Sequence, residues 1–339
     1  GKFFTVWGAS KNVNPDLRWE KGVNWNVGLD FSLFDNRISG SVNYYNRTQK
    51  DLLGDYNVSI PPYLFSTTFV NVGTMKNSGV EVELHGRIFD KKDFSYDVSL
   101  VGSTMDNRFI SFSNSDYKGQ KYYYVAPTED PFPFHYLQRI QEGERVGNFY
   151  MWKYAGLNSD GEWVIYDKNG EYKAGMDATD EDMYVVGNGL PKFTASWSNY
   201  LKYKNLDLSI YFRGAFGFEI FNIHEFYYGI PGMTSNVMKT AYTKNANIKE
   251  NPLVCDYFIE RGDYLKLDMV TIGYTIPLVS KYFDSVRFSL TGKNLFTLTS
   301  FSGVDPSTYS TNGLTPGATG SRNYYPTCRQ FLAAVQIAF

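Results

Sequence analysis

Runs of about 18 consecutive apolar residues are missing from this 339-residue chain, so no segment can cross a bilayer as a helix. Histidine is scarce: His85, His135 and His224 stand far apart without metal-ligand spacing, which supports neither a metal centre nor a histidine-based active site. The reading is therefore of a protein that is not an enzyme and carries no cofactor. Cysteine is limited to Cys255 and Cys328, too few for a ligand set; the choice lies between a disulfide and two buried or free thiols. A formal net charge of -2 gives no electrostatic case for nucleic acid. Asp167-Lys168-Asn169-Gly170-Glu171 has an acidic start, but Tyr172 stands where a calcium loop needs Gly and Ala178 where it needs Glu. It reads as a solvated turn. Gly292-Lys293 lacks a glycine loop before it and is no phosphate site. The chain opens Gly1-Lys2-Phe3-Phe4 with neither Met nor a signal peptide, and is expected to be a processed, trimmed or internal piece.

Aromatic residues, by contrast, are abundant: 18% of the chain, with 28 Tyr and 26 Phe. Such a supply fits the aromatic girdles of a membrane barrel. The patterning points the same way. From Leu17 the odd positions read Leu17, Trp19, Lys21, Val23, Trp25, Val27, Leu29, Phe31 and Leu33, while the even ones are polar or Gly. After a tight Phe34-Asp35-Asn36-Arg37 turn, Ile38, Gly40, Val42 and Tyr44 alternate with Ser39, Ser41, Asn43 and Tyr45. A period of two is a strand signal. Leu17 to Leu33 is longer than the five or six residues usual in soluble sheets and long enough to span a bilayer at a tilt. A soluble sandwich would have to bury the apolar face against a second sheet.

Further strands follow at Val80–Ile88, Phe94–Gly102, Phe193–Tyr203, Leu206–Gly214, Leu265–Ile276, Val286–Leu290 and Phe331–Phe339. Short turns near 90–93, 204–205 and 277–284 alternate with long connections near 51–77, 108–191, 219–260 and 299–328, which are expected to be extracellular loops. In the strand from Leu265 the apolar positions change from odd to even near Asp268-Met269, which predicts a β-bulge. Counting strand directions from both ends allows residues 108–191 none or two wall strands. The preferred reading is none, with 149–156 and 162–167 as a hairpin inside the excursion. That leaves nine strands rather than eleven. An odd antiparallel count cannot close regularly, so the chain is expected to be one part of a larger wall.

Five stretches resemble one family: Asn14-Pro15-Asp16-Leu17-Arg18-Trp19-Glu20, the segment Asn71-Val72-Gly73-Thr74-Met75-Lys76-Asn77-Ser78-Gly79-Val80-Glu81, Gly262-Asp263-Tyr264-Leu265-Lys266-Leu267, Thr271-Ile272-Gly273-Tyr274-Thr275-Ile276-Pro277, and Gly292-Lys293-Asn294-Leu295-Phe296-Thr297-Leu298. In order and spacing, from about residue 14 to Phe339, they are similar to the C-terminal part of the SusC/RagA family of TonB-dependent outer-membrane transporters of Bacteroidetes. The resemblance implies a transmembrane antiparallel β-barrel of about 22 strands, with a plug in its lumen, a TonB box and a SusD-like surface lipoprotein as lid. Plug and TonB box lie outside this sequence. The implied function is import of an oligosaccharide or peptide across the outer membrane of a Gram-negative cell, energised through TonB. The alternative is a stand-alone small barrel, either a passive porin or a surface enzyme.

Loop aromatics are the candidates for substrate contact: Tyr122, Tyr123 and Tyr124, then Phe132, Phe134 and Tyr136, then Phe226, Tyr227 and Tyr228, then Tyr324 and Tyr325. Flat rings with a hydroxyl suit a sugar face or a peptide side chain. The competing role is packing of the loops or docking of the lid. Phe339, on the apolar face of the last strand, resembles the signal read by the barrel-assembly machinery. The first strand is expected to run downward from an outer loop and to pair on one side with a strand outside this sequence, as is the last strand.

Overall fold

A computed structural model describes residues 8–114, 117–130, 134–232, 236–278, 282–309, 313–319 and 325–339. In chain order, β1 (Lys21–Leu33), β2 (Ile38–Asn57), β3 (Thr67–Lys91) and β4 (Phe94–Thr104) form consecutive hairpins. An excursion then carries β5 (Asp106–Ser111), β6 (Tyr122–Pro127), β7 (Tyr136–Gln141), β8 (Asn148–Leu157), β9 (Trp163–Tyr166), β10 (Tyr172–Ala174) and β11 (Met183–Asn188). The chain returns through β12 (Phe193–Tyr203) and β13 (Leu206–Phe216). A second excursion holds β14 (Glu219–Phe221), the helix α1 (Ile223–Tyr228) and β15 (Ile259–Arg261), before β16 (Tyr264–Pro277), β17 (Ser285–Thr299) and β18 (Gln330–Ala338).

Nine strands make one antiparallel wall in the order β1-β2-β3-β4-β12-β13-β16-β17-β18, so the first excursion adds no strand to that path. Its β5 pairs instead beside β4 along the upper part of β3, from Thr74↔Ser111 to Ser78↔Asp106. Among the described residues β1 and β18 have one neighbour each and do not pair with one another. The wall is open, and the small closed barrel is not what these strands build.

The short connections all lie at one end. Phe34, Asp35 and Asn36 take positive φ in the first, which only a few residue types adopt cheaply, and Lys204 does so in the turn after β12. The wall's two faces differ as the alternation requires. Val27 is 65% and Val335 60% exposed, because nothing among the described residues covers the apolar face. The polar face carries cross-strand ion pairs, including Arg287 to Asp207 at 2.6 Å and Arg213 to Asp268 at 2.9 Å.

The bulge falls at the expected place. Tyr211 faces Met269 and Phe212 faces Leu267, leaving Asp268 as the extra residue. On the next strand Leu267 faces Phe296 and Met269 faces Lys293, so the shift crosses both ladders. The 149–156 and 162–167 hairpin is also present, as β8 paired to β9.

Two boundaries need correction. Residues 51–77 are not one long connection: β2 continues to Asn57 and β3 begins at Thr67, so the loop shrinks to 58–66. Asp51 at positive φ and register shifts around Leu52 break the alternation there. Past the wall the ribbon has neither a purely apolar nor a purely polar side. The first strand starts at Lys21 rather than Leu17, because the Asn71 side chain stands in for a ladder partner. Its amide donates to the Arg18 carbonyl at 2.7 Å, and its oxygen accepts from the Arg18 amide at 2.9 Å.

Candidate functional site

Beyond the wall, the first excursion folds into a six-stranded sheet ordered β10-β9-β8-β7-β6, with β11 on β8. One apolar cluster anchors it to the ribbon of β2 and β3: Phe109, Phe112 and Ile140, with Leu52, Met75, Tyr123 and Val125 packed around them. A larger one joins β8 and β9 to the second excursion through Phe149, Met151, Trp163, Phe221, Phe226 and Phe258.

Period two divides the three tyrosines of β6. Tyr123 turns toward the wall ribbon, edge-on to Phe112 at 5.1 Å, and burial pushes its phenol up to about 12. Tyr122 and Tyr124 are on the other side, 5.6 Å apart. Tyr124 stacks on Tyr136 at 5.7 Å and leans on Tyr150 at 6.2 Å, while exposed Phe134 meets Tyr136 edge-on at 4.9 Å. Arg139 completes the group. Its guanidinium carbon is 3.4 Å from the Tyr150 ring centroid and 5.0 Å from that of Tyr122. Such cation–π stacking holds a charge flat against rings. Burial raises the Tyr124 phenol, with the Arg139 hydrogen bond opposing it. The result is a half-exposed tyrosine shelf with a guanidinium set into it, able to stack on a sugar or apolar side chain and to donate to an oxygen-rich group. Arg139 and Tyr150 escape a reading of tyrosine runs; they join through the cross-strand register, in which Arg139 faces Tyr124.

The second cluster is corrected. Phe226 and Tyr227 are each 1% exposed on α1, inside the larger core, and Tyr228 is half-buried, so these rings pack the loops together. The Tyr227 hydroxyl donates to the Glu129 carbonyl at 2.7 Å, fastening one excursion to the other. Phe132 and Tyr324 lie outside the described residues, whereas Tyr325 is 85% exposed. Phe339 follows β18 on the apolar parity and is exposed.

The possible disulfide is corrected too. Cys255 is buried in the larger core beside Trp152, with its thiol pushed up by burial, while Cys328 is exposed, and both are free. The histidines are dispersed over β3, the β6–β7 connection and α1. His85 Nδ1 lies 3.0 Å from Ser99 Oγ and its Nε2 3.7 Å from Asp97, on the wall's polar face. Asp97 is also held by Arg87 Nε at 3.3 Å, so the set reads as cross-strand polar pairing. The Asp167 turn is closed by its own chain, Oδ1 accepting from the Asn169 and Glu171 amides at 2.8 Å each.

An open antiparallel wall with one apolar and one polar face, short turns at one end and folded excursions at the other, defines a segment of an outer-membrane β-barrel. A family model described as TonB dependent receptor-like, beta-barrel, matches residues 3–295, and the chain belongs to that family. It is 29% identical over 323 residues to TonB-dependent receptor P3 of Formosa agariphila, covering 87% of this chain and 31% of that protein. It is 25% identical over 352 residues to TonB-dependent receptor SusC of Bacteroides thetaiotaomicron, covering 97% and 33%. The RagAB peptide transporter structure superposes with a TM-score of 0.78 at 24% identity, over 96% of this chain and 36% of that one. The chain thus spans about a third of the length of the curated relatives it matches.

Proposed function

We propose that this chain supplies wall and external loops, the C-terminal part of the barrel, to a SusC-like importer of oligosaccharide or peptide in the outer membrane of a Gram-negative cell. The observation that carries the reading is the open nine-stranded wall, whose exposed apolar face needs lipid and whose two edges need further strands. A plug, TonB and a SusD-like lipoprotein belong to this reading as partners. The similarity to SusC and to a peptide transporter supports import and leaves both substrate classes in play.

The tyrosine shelf with Arg139 is the proposed substrate contact. The test is a binding screen of defined oligosaccharides and peptides against the intact receptor with its surface lipoprotein, repeated with Tyr124→Ala and Arg139→Ala. A class whose affinity drops about tenfold in both variants identifies the substrate. Unchanged affinity in both removes the shelf from the site, and a receptor that binds neither class overturns the import reading.

A further inference from the structure

Three of the four arginines in the two excursions hold a carboxylate. Arg108 and Arg145 share Asp106 at 2.6 and 3.1 Å, and Arg261 meets Asp263 at 2.6 Å. Arg139 is the fourth, and among the described residues no carboxylate comes within ion-pair distance of it. Its neighbours are neutral. Nη2 donates to Gln141 Oε1, the Tyr124 hydroxyl takes a further hydrogen bond, and the rings of Tyr150 and Tyr122 lie against the guanidinium. The ionisable groups that act on the Tyr124 phenol are Arg139, Tyr150 and Tyr122, again with no carboxylate among them. A guanidinium carries five N–H donors, so these contacts leave donors unused and the charge uncompensated. The register puts the group on one side of the sheet, with Arg139 facing Tyr124 and Gln141 facing Tyr122. The hydroxyls of Tyr122, Tyr136 and Tyr150 have no hydrogen-bond partner among the described residues.

We infer that Arg139 reads a carboxylate on the substrate, and that the shelf takes an acidic oligosaccharide built from uronate residues. The inference deepens the import reading and rests on it. A planar carboxylate matches the fork of a guanidinium, and such charge-assisted pairs are shorter and stronger than neutral ones. In a uronate that group is carried at the edge of the sugar ring, so a ring stacked on the tyrosines presents its carboxylate edge-on to Arg139. The unspent phenol hydroxyls favour a sugar over an acidic peptide. A sugar ring brings hydroxyls for them to meet, whereas an Asp or Glu side chain brings the carboxylate alone. The tyrosine rings also shield the guanidinium from water, where a pair between fully exposed charges would gain little.

The experiment is calorimetric titration of the intact receptor with its surface lipoprotein, using oligomers of galacturonate, glucuronate and mannuronate, each beside its methyl ester. Esterification removes the charge and keeps the ring. In at least one pair the acid should bind about tenfold tighter than the ester. Arg139→Gln should abolish that preference, and Gln141→Glu, which sets a carboxylate against the guanidinium, should do the same. The second variant decides the matter if the first does not assemble as heat-resistant barrel. Acids bound no tighter than their esters, a preference that survives both substitutions, or tighter binding of an oligoglutamate peptide would each overturn the inference. A receptor that binds only neutral oligosaccharides or only peptides overturns it too and leaves import standing, whereas one that binds no substrate of either class overturns the import reading beneath it.

Discussion

Lys266 shows how much a single polar side chain can fix. It is 1% exposed on β16, and its ammonium meets Asp305 at 3.3 Å, Ser307 at 2.9 Å and Thr327 at 2.7 Å. The wall thereby holds the connection between β17 and β18. Removing one partner of a buried pair strands the other charge, at roughly 3–5 kcal/mol. Lys266→Met should therefore release residues 299–309 to faster hydrogen exchange; unchanged protection would show that the apolar contacts of Phe301 suffice. Burial raises the Asp305 carboxyl, but the Thr327 and Ser307 hydroxyls, the Ser307 amide and Lys266 outweigh it, for a net lowering. A depressed carboxylate contributes stability above its unfolded value of 3.8 that is lost as pH falls through the folded one. The same exchange measurement should find the loop protected at neutral pH and opening only below that value. Facing is a residue-scale matter too. Val27→Arg on the apolar face should cost about 2–4 kcal/mol near the midplane and Asn26→Arg little, read from denaturant titration in lipid. Similar losses from both would reverse the assigned faces.

At the scale of elements, the bulge in β16 sets which side chains meet lipid. Beyond Asp268 the parity changes, so Leu265 and Leu267 stay on the apolar face while Lys266 reaches the loop between β17 and β18. Deleting Asp268 should force the loop end of β16 to flip, turning Lys266 toward lipid. The expected result is loss of heat-resistant folded barrel in outer-membrane fractions, and a deletion variant that accumulates normally would show that the ladder shifts elsewhere. Asn199 illustrates the reverse case, a polar residue on the apolar parity of β12. Its oxygen accepts from the Tyr96 hydroxyl at 2.8 Å, which satisfies it against a neighbouring strand.

For the whole molecule the decisive fact is that, among the described residues, β1 and β18 each pair on one side only. Lipid offers no partner to freed backbone groups, so on the proposed reading β1 and β18 each meet a strand from outside this sequence. Cysteines placed on β1 at Val27 and on β18 at Val335 should form no disulfide with one another in the assembled particle, and a photoactivatable cross-linker attached to either thiol should capture other wall strands instead. A direct bond between them would close a small barrel and restore the porin alternative.

Strand and turn were legible in the sequence because a wall between lipid and a wet interior imposes alternation on every residue it contains. From Leu29 and Val27 to Val335 and Ile337 that constraint is local, and even the bulge at Asp268 showed as a change of parity. Legibility ended where the environment stopped being two-sided. The ribbon at residues 51–77 lost its pattern above the wall, and Phe226, Tyr124 and Tyr325 look alike in sequence although one is core, one is half-exposed shelf and one is bare. Their roles, the separation of Cys255 from Cys328, and the meeting of Arg139 with Tyr150 depend on which loops pack together. Those are contacts between segments far apart in the chain, and only the tertiary structure decided them.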